Sequence, residues 1–272
     1  MKNILKGFLF IFILITLSSC GTRFWYNTID FFILRSLDQY FDITREQKSF
    51  LKEKLEYNLS SHREEGIPQH IDFIKGMQTR VLKGIQEEDV KWFYDELSHQ
   101  IELIRNRLSD VLVDFLMSLK PEQIEHFEEK MADQNEKNKK RRQKNADRNA
   151  EDRSGETIKS FEEWLGHLSD TQKKEILNLV RQMPDNREQT NNDQLERQRE
   201  FIKALRNEPI NRDKIEQLLA DFISGNPSND ESTALVADFV VKVDRLITQK
   251  QRNHFIKKLD VWVDRLEAVA PD

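Results

Sequence analysis

A short phrase that marks the start of a helix occurs four times in the chain, at residues 43–47, 119–123, 168–172 and 247–251. Three copies begin with an apolar residue and a Thr or Ser, whose hydroxyl can accept a hydrogen bond from the backbone N–H three residues on. The Gln at that third position can reach back to the N–H of the hydroxyl residue. The copy at 119–123 has Lys120 instead, followed by Pro121, which fits a first helical turn. The predicted cap residues are Thr44, Gln47, Gln123, Ser169, Gln172, Thr248 and Gln251.

The spacing of the four copies indicates a duplication. The first two copies start 76 residues apart and the last two 79 residues apart. The tripeptide Phe-Ile-Lys at 73–75 also recurs at 201–203, on the same offset as the second and fourth copies. Internal repeats of this kind decide the fold before any single helix does. We therefore expect two tandem pseudo-repeats, at 43–132 and 161–272.

Composition favours helices throughout. Charged residues make up 33% of the 272-residue chain, which has only 8 Gly and 6 Pro. Few helix breakers and many charged residues are typical of an all-α protein with solvated helix faces. We predict an all-α, multi-helix bundle built from two tandem pseudo-repeats of capped helical hairpins. The net charge of −5 argues against nucleic acid as the main partner.

The amino terminus predicts a lipid anchor. Two lysines precede an apolar run at 7–17, which has the length of a signal peptide. The run ends in Leu17-Ser18-Ser19-Cys20, which resembles the bacterial lipobox, and Cys20 is the only cysteine. The resemblance implies lipidation of Cys20, removal of residues 1–19 and, since no Asp follows, an outer-membrane lipoprotein facing the periplasm of a Gram-negative bacterium. A plain signal peptide or an uncleaved anchor is the alternative.

Two further segments each allow two interpretations. The segment 20–42 contains an aromatic helix that is either a core helix, which we favour, or an interfacial helix with Trp25 and Tyr26 at the headgroup level. The segment 133–160 is a charged connector predicted to be helical, with seven basic residues between Lys137 and Arg148. We interpret it as a solvated link between the repeats, while a contact for anionic lipid or an acidic partner is the alternative.

Helix-breaking residues and the periodicity of the apolar residues predict where the helices begin and end. The sequence predicts a helix over 44–63, a break at Gly66-Ile67-Pro68, and a second helix to about Gly84. It predicts one long helix or two joined helices over 86–119, and a later helix that starts at about Asn192. No stretch alternates with the period of a strand.

Motifs for catalysis are absent from the sequence. It contains no Gly-rich phosphate loop, no nucleophile elbow and no zinc-protease motif. Glu96 and His99 have the spacing of one half of a carboxylate-bridged di-metal site, but such a site needs two such pairs. We therefore expect no enzyme activity, no metal and no cofactor.

Two family resemblances follow from these motifs. The cap resembles the L-T-x-x-Q motif of the Spy/CpxP family of periplasmic helical proteins, whose members carry two copies per chain, form cradle-like dimers and include ATP-independent chaperones. Other stretches resemble a proteobacterial lipoprotein family of unknown function (domain of unknown function 6279). They are Arg23-Phe24-Trp25-Tyr26-Asn27, Asp42-Ile43-Thr44 through Gln47, His62-Arg63-Glu64-Glu65 and Trp164-Leu165-Gly166.

These resemblances imply a lipid-anchored periplasmic protein that binds other polypeptides, in a Spy/CpxP-like holdase or envelope-stress role. Its partners would be the membrane, through the anchor, and a protein or unfolded polypeptide. Because it carries four caps where the short family has two, the chain is expected to form an intramolecular pseudo-dimer. The alternative is a structural or adaptor lipoprotein with one dedicated envelope partner and no chaperone activity. A metal-responsive sensor or enzyme is a third hypothesis.

Overall fold

The structure is a computed structural model that describes residues 22, 24, 26–146, 150–207, 209–224 and 230–270. No strand occurs among these residues, and the prediction of an all-α bundle is confirmed. In this part of the chain no helix has both the length and the apolar character that crossing a bilayer requires. The helices are α1 (Ile29–Phe41), α2 (Arg45–Ser61), α3 (Ile67–Lys83), α4 (Glu87–Met117), α5 (Pro121–Ala146), α6 (Ala150–Leu165), α7 (Asp170–Gln182), α8 (Arg187–Arg206), α9 (Arg212–Ser224), α10 (Asp230–Leu246) and α11 (Gln249–Glu267).

The main core draws on both predicted repeats. Leucines and phenylalanines of α1, α2, α4 and α5 pack with Leu205 of α8 and Leu218 of α9. A second core joins α3 to α11, where Ile67 and Ile71 meet Leu259 and Val263. A third, smaller core lies between α6 and α7 around Leu168 and Ile176. Since two of the three cores combine residues from the first and second halves of the sequence, the halves pack against each other.

The predicted break at Gly66-Ile67-Pro68 is wrong. A five-residue π-helix, His62–Gly66, joins α2 to α3, and the N–H of Ile67 donates to the carbonyl of His62, five residues earlier. A proline inside an α-helix lacks a donor and its ring collides with the carbonyl four residues before it. A single wider turn relieves such a conflict and lets the helix continue past Pro68.

Three other parts of the chain show how the predicted helices compare with the structure. The segment 86–119 forms one helix, α4, rather than two joined ones. The helix expected from about Asn192 begins five residues earlier, at Arg187. The charged connector is helical on both sides of residues 147–149, which lie outside the described residues, because α5 runs to Ala146 and α6 begins at Ala150.

One face of α1 lies in the core, and another is exposed. Leu34 and Phe41 are buried, and the ring of Phe41 stacks on that of Phe127 with 4.4 Å between the ring centres. On the outer face, the side chains of Phe31 and Phe32 are 58% and 41% exposed. The first interpretation, a core helix, therefore describes only part of the surface of α1. Trp25, which the interfacial interpretation placed at the headgroup level, lies outside the described residues.

A nearly buried ion pair ties the end of α3 to α10 and α11. The guanidinium of Arg252 donates to both carboxylate oxygens of Asp244, at 2.6 and 3.1 Å, and to the carbonyl of Val81, at 2.6 Å. The backbone N–H of Ile85 donates to the same carboxylate at 3.0 Å. Only 11% of the Arg252 side chain and 10% of the Asp244 side chain are exposed. The pair thus closes the junction after α3 with hydrogen bonds that water cannot easily replace.

We expect Arg252→Met to lower the free energy of unfolding by about 3 kcal/mol, because it leaves the Asp244 carboxylate and the Val81 carbonyl without their main partner. Urea denaturation followed by circular dichroism measures the change. Lys242→Met is the matched control, since Lys242 pairs with Asp238 at an exposed position of α10. That loss should stay below about 0.5 kcal/mol. Equal losses in the two variants would contradict this role for Arg252.

Candidate functional site

The capping glutamines of the first two motif copies bond to each other in the core. Gln47 Nε2 donates to Gln123 Oε1 at 3.2 Å, and Gln123 Nε2 donates to Gln47 Oε1 at 2.8 Å. Each oxygen also accepts from a backbone N–H at the start of its own helix, that of Thr44 for Gln47 and that of Lys120 for Gln123. The side chains are only 8% and 6% exposed. Each amide therefore serves as a cap and as a cross-link at once.

Each glutamine also donates from its amide to the helix that ends just before the motif of the other glutamine. Gln47 donates to the carbonyl of Ser118, at the end of α4, at 3.1 Å. Gln123 donates to the carbonyl of Phe41, the last residue of α1, also at 3.1 Å. Two helices begin and two helices end at this point. The glutamine amides therefore donate to carbonyls that the end of a helix leaves without a partner.

The third and fourth motif copies make the same set of contacts. Gln172 Nε2 donates to Gln251 Oε1 at 2.8 Å, and Gln251 Nε2 donates to Gln172 Oε1 at 3.1 Å. Gln172 also donates to the carbonyl of Leu246, at the end of α10, and Gln251 to that of His167, after α6. The hydroxyl caps of Thr44, Ser169 and Thr248 are all formed. We call the Gln47–Gln123 and Gln172–Gln251 pairs the two glutamine clasps.

The other predicted site residue is not described. Cys20 and the signal segment 1–19 lie outside the described residues, so the predicted lipidation stays a prediction.

Glu96 and His99, the half-site considered for a metal, both line an open cleft between α3 and α4. Within the described ranges, no group of three or more His, Cys, Asp or Glu side chains is arranged to hold a metal ion.

A chain of polar side chains runs under the π-helix, and sequence reasoning missed it. The Tyr26 hydroxyl donates to the carbonyl of Leu59 at 3.0 Å and lies 2.8 Å from His62 Nδ1. His62 Nε2 lies 3.0 Å from His70 Nε2. A neutral imidazole has one N–H and one lone pair, so His62 accepts a hydrogen bond at one ring nitrogen and donates from the other. In the sequence, His62 and His70 lie on either side of Pro68, and this pair was the available indication of the site. The predicted break assigned the two histidines to separate helices.

Gly66 allows this arrangement. A Cβ atom at position 66 would lie 2.5 Å from Cδ2 of the His62 ring, closer than real Cβ atoms approach. The glycine therefore lets the ring fold back over the π-turn toward Tyr26 and His70. Single π-turns inside α-helices are frequently found at functional sites.

Burial and neighbouring charge keep His62 neutral. Burial, and to a smaller extent the nearby His70 and the Arg107 guanidinium, lower the pKa of His62 to about 4. Burial also lowers the pKa of His70 and raises the pKa of the Tyr26 hydroxyl to about 12. Protonation of His62 would remove the ring lone pair that accepts a hydrogen bond, so the chain of hydrogen bonds holds only while His62 is neutral.

Comparison with known proteins places the chain in a family. A family model described as "Family of unknown function (DUF6279)" matches residues 39–224. The chain belongs to this family. The family region contains the first glutamine clasp, His62 and His70, but neither Tyr26 nor Gln251. No curated protein and no solved structure matches the chain.

The buried histidine predicts a dependence of stability on pH. The pKa of His62 is lower in the folded state than the usual 6.5, so its contribution to stability is present above about pH 6.5 and is lost as the pH falls toward 4. From pH 7.5 to pH 4.5 the free energy of unfolding should fall by about 2 kcal/mol more in the wild type than in His62→Gln. Urea denaturation at the two pH values measures the difference.

His167→Gln is the control, because the His167 side chain is 88% exposed. This variant should lose as much stability between the two pH values as the wild type does. If His62→Gln also shows the full wild-type loss, His62 is not the group that responds to pH.

Proposed function

We propose that the protein is a lipid-anchored protein of the Gram-negative envelope that binds other polypeptides, in a holdase or envelope-stress role. Cys20 would attach it to the inner face of the outer membrane, so that the helical bundle faces the periplasm. The lipobox at 17–20 and the four L-T-x-x-Q-like motifs support this proposal. Membership of a family of unknown function neither adds to it nor limits it.

The observation that carries the proposal is the exposed aromatic surface near the amino terminus. Phe24, Phe31 and Phe32 are 65%, 58% and 41% exposed, although the opposite face of α1 is packed in the core. Several large aromatic side chains exposed on neighbouring turns are unusual for a surface without a partner. Arg35 and Asp38, which are exposed on the same helix, border this surface with charge. A surface that mixes aromatic and charged groups suits weak binding of many unfolded chains.

We also propose that the chain is a fused pseudo-dimer. The two glutamine clasps repeat the same contacts with the same topology, which a duplicated hairpin unit would produce. Fusion would replace dimerisation between two chains by an intramolecular contact with a high effective concentration. The folded state would then not depend on the concentration of the protein.

The proposal is tested by light scattering of an aggregating unfolded protein, without ATP, in the presence of the mature chain without its lipid, residues 21–272. We expect suppression at near-stoichiometric amounts. Phe31→Ser with Phe32→Ser should need at least about fivefold more protein for the same suppression, because each exposed Phe contributes apolar contact area to the client. Circular dichroism checks that the double variant is folded.

Leu82→Ser with Leu235→Ser is the matched control, since both leucines are exposed, at 52% and 43%, on other helices. This variant should suppress aggregation as well as the wild type. If the folded wild type suppresses nothing, the holdase role is wrong. An adaptor with one dedicated envelope partner then becomes the better explanation, and a single stoichiometric partner should be recovered with the lipidated protein.

A further inference from the structure

The second half of α5 carries positive charge on one face. From residue 137 to residue 144 the helix has six basic residues and no acidic one. Four of them follow the spacing i, i+3, i+4 and i+7, which places side chains on one face of a helix. They are Lys137, Lys140, Arg141 and Lys144, and all four are exposed. We call these four residues the basic face of α5.

The basic face lies on the side of α5 that is turned away from α8. Asn135 donates to the buried Gln198 of α8 at 2.9 Å, which shows the side of α5 that contacts the bundle. Lys137 comes two residues later, about 200° further round the helix. Among the described residues, Lys140 alone of the four forms an ion pair, with Glu136 at 3.6 Å. The Lys140 side chain is 72% exposed, so solvent weakens this pair and the lysine can exchange it for another anion.

The helix α5 runs antiparallel to α1. Gln123, near the start of α5, donates to the carbonyl of Phe41 at the end of α1. Three residues later, His126 Nε2 lies 3.2 Å from the carbonyl oxygen of Gln39, so contacts move back along α1 as α5 advances. Later turns of α5 therefore point toward the end of the bundle where α1 begins. The basic face begins about 20 Å along α5 from Gln123, since an α-helix rises about 1.5 Å per residue.

The predicted lipid anchor belongs to the same end of the bundle. Tyr26 is helical and bonds to the carbonyl of Leu59, near the end of α2, whereas α2 starts at the first glutamine clasp. Tyr26 therefore lies at the end of the bundle away from that clasp, as the basic face does. Six residues of chain separate Cys20 from Tyr26, and they can span at most about 22 Å. A lipid on Cys20 would hold the membrane next to the end of the bundle that carries the basic face.

We propose that the basic face of α5 binds the phosphate groups of anionic phospholipids in the membrane to which Cys20 attaches the protein. Ammonium and guanidinium groups pair with phosphate oxygens, and four cations on one exposed face can meet a negatively charged surface together. A lipid anchor fixes one point of the protein, and a second, basic contact fixes its orientation on the membrane. This inference rests on the lipid anchor of the proposed function, and it selects anionic lipid among the interpretations of the charged connector.

Flotation with lipid vesicles tests the contact in the absence of the anchor. The protein is the chain 21–272, which keeps every described residue and has no lipid of its own. The vesicles contain phosphatidylcholine alone or phosphatidylcholine with phosphatidylglycerol. The wild type should bind only the vesicles with phosphatidylglycerol, and added salt should release it, because salt screens charges that are exposed to solvent.

The test variant combines Lys137→Gln, Lys140→Gln, Arg141→Gln and Lys144→Gln. It should bind the phosphatidylglycerol vesicles at least about twentyfold more weakly than the wild type, because each cation near an anionic surface contributes about fivefold to the affinity. Circular dichroism checks that the variant is folded. A wild type that binds neither kind of vesicle would overturn the proposal. Binding of the wild type to polyglutamate but not to vesicles would assign the basic face to an acidic polypeptide and would also overturn it.

The matched control combines Arg45→Gln, Lys48→Gln, Lys52→Gln and Lys120→Gln. It also removes one arginine and three lysines, all exposed, and it also breaks one exposed ion pair, between Lys52 and Glu56. These positions lie in the first two turns of α2 and just before α5, at the end of the bundle away from the basic face. The control should bind phosphatidylglycerol vesicles as well as the wild type does. Equal losses in the two variants would mean that only net charge matters, and the basic face would be rejected.

Two further measurements separate this contact from the proposed function. Mass spectrometry of the amino-terminal peptide of the full-length protein detects the lipid on Cys20, and an unmodified Cys20 would reject the anchor even where vesicle binding persists. In the aggregation assay, the variant of the basic face should suppress aggregation as well as the wild type does. Vesicle binding without suppression of aggregation would retain the basic face and reject the holdase role, and suppression without vesicle binding would do the reverse.

Discussion

The fold depends on the exchange of hydrogen bonds between paired glutamines at helix starts. A primary amide carries both a donor and an acceptor, so two glutamines can cap their own helices and bond to each other at the same time. A glutamate pair at this place would bring two carboxylates into contact in a buried site, and an asparagine would be one methylene shorter. Since Gln47 and Gln123 are almost fully buried, their polar groups need all of these partners. Each clasp fixes four chain segments that lie far apart in the sequence.

The clasps organise each half, while other contacts join the halves. The apolar residues of α3 and α11 pack together, and Arg252 bonds to the carbonyl of Val81 at the end of α3. The last helix of the chain is therefore anchored on the first half by both apolar packing and a buried ion pair. The helix α1 has one face in the main core and one face exposed, and the exposed face is the surface proposed for polypeptide binding.

Local patterns predicted local structure well. The all-α class, the hydroxyl caps of Thr44, Ser169 and Thr248, and the ends of several helices follow from side chains a few residues apart. The pairing of the clasps could not be predicted, because the spacing of the copies shows repetition but does not tell which copies meet. The π-helix was missed because Pro68 reads as a helix breaker, and only the packing of His62 against Tyr26 and His70 shows how the helix passes it.

A double-mutant cycle on Gln47→Ala and Gln123→Ala tests the central claim most directly. Free energies of unfolding from urea denaturation of the two single variants and the double variant give the coupling energy between the glutamines. A clasp predicts a coupling of about 1–2 kcal/mol, because the second substitution costs little once the first has broken the exchange. A cycle on Gln47→Ala and Gln251→Ala, which share no hydrogen-bond partner, should give about zero. Coupling near zero for Gln47 and Gln123 would mean that each glutamine acts only as a local cap, and the account of a shared clasp would be wrong.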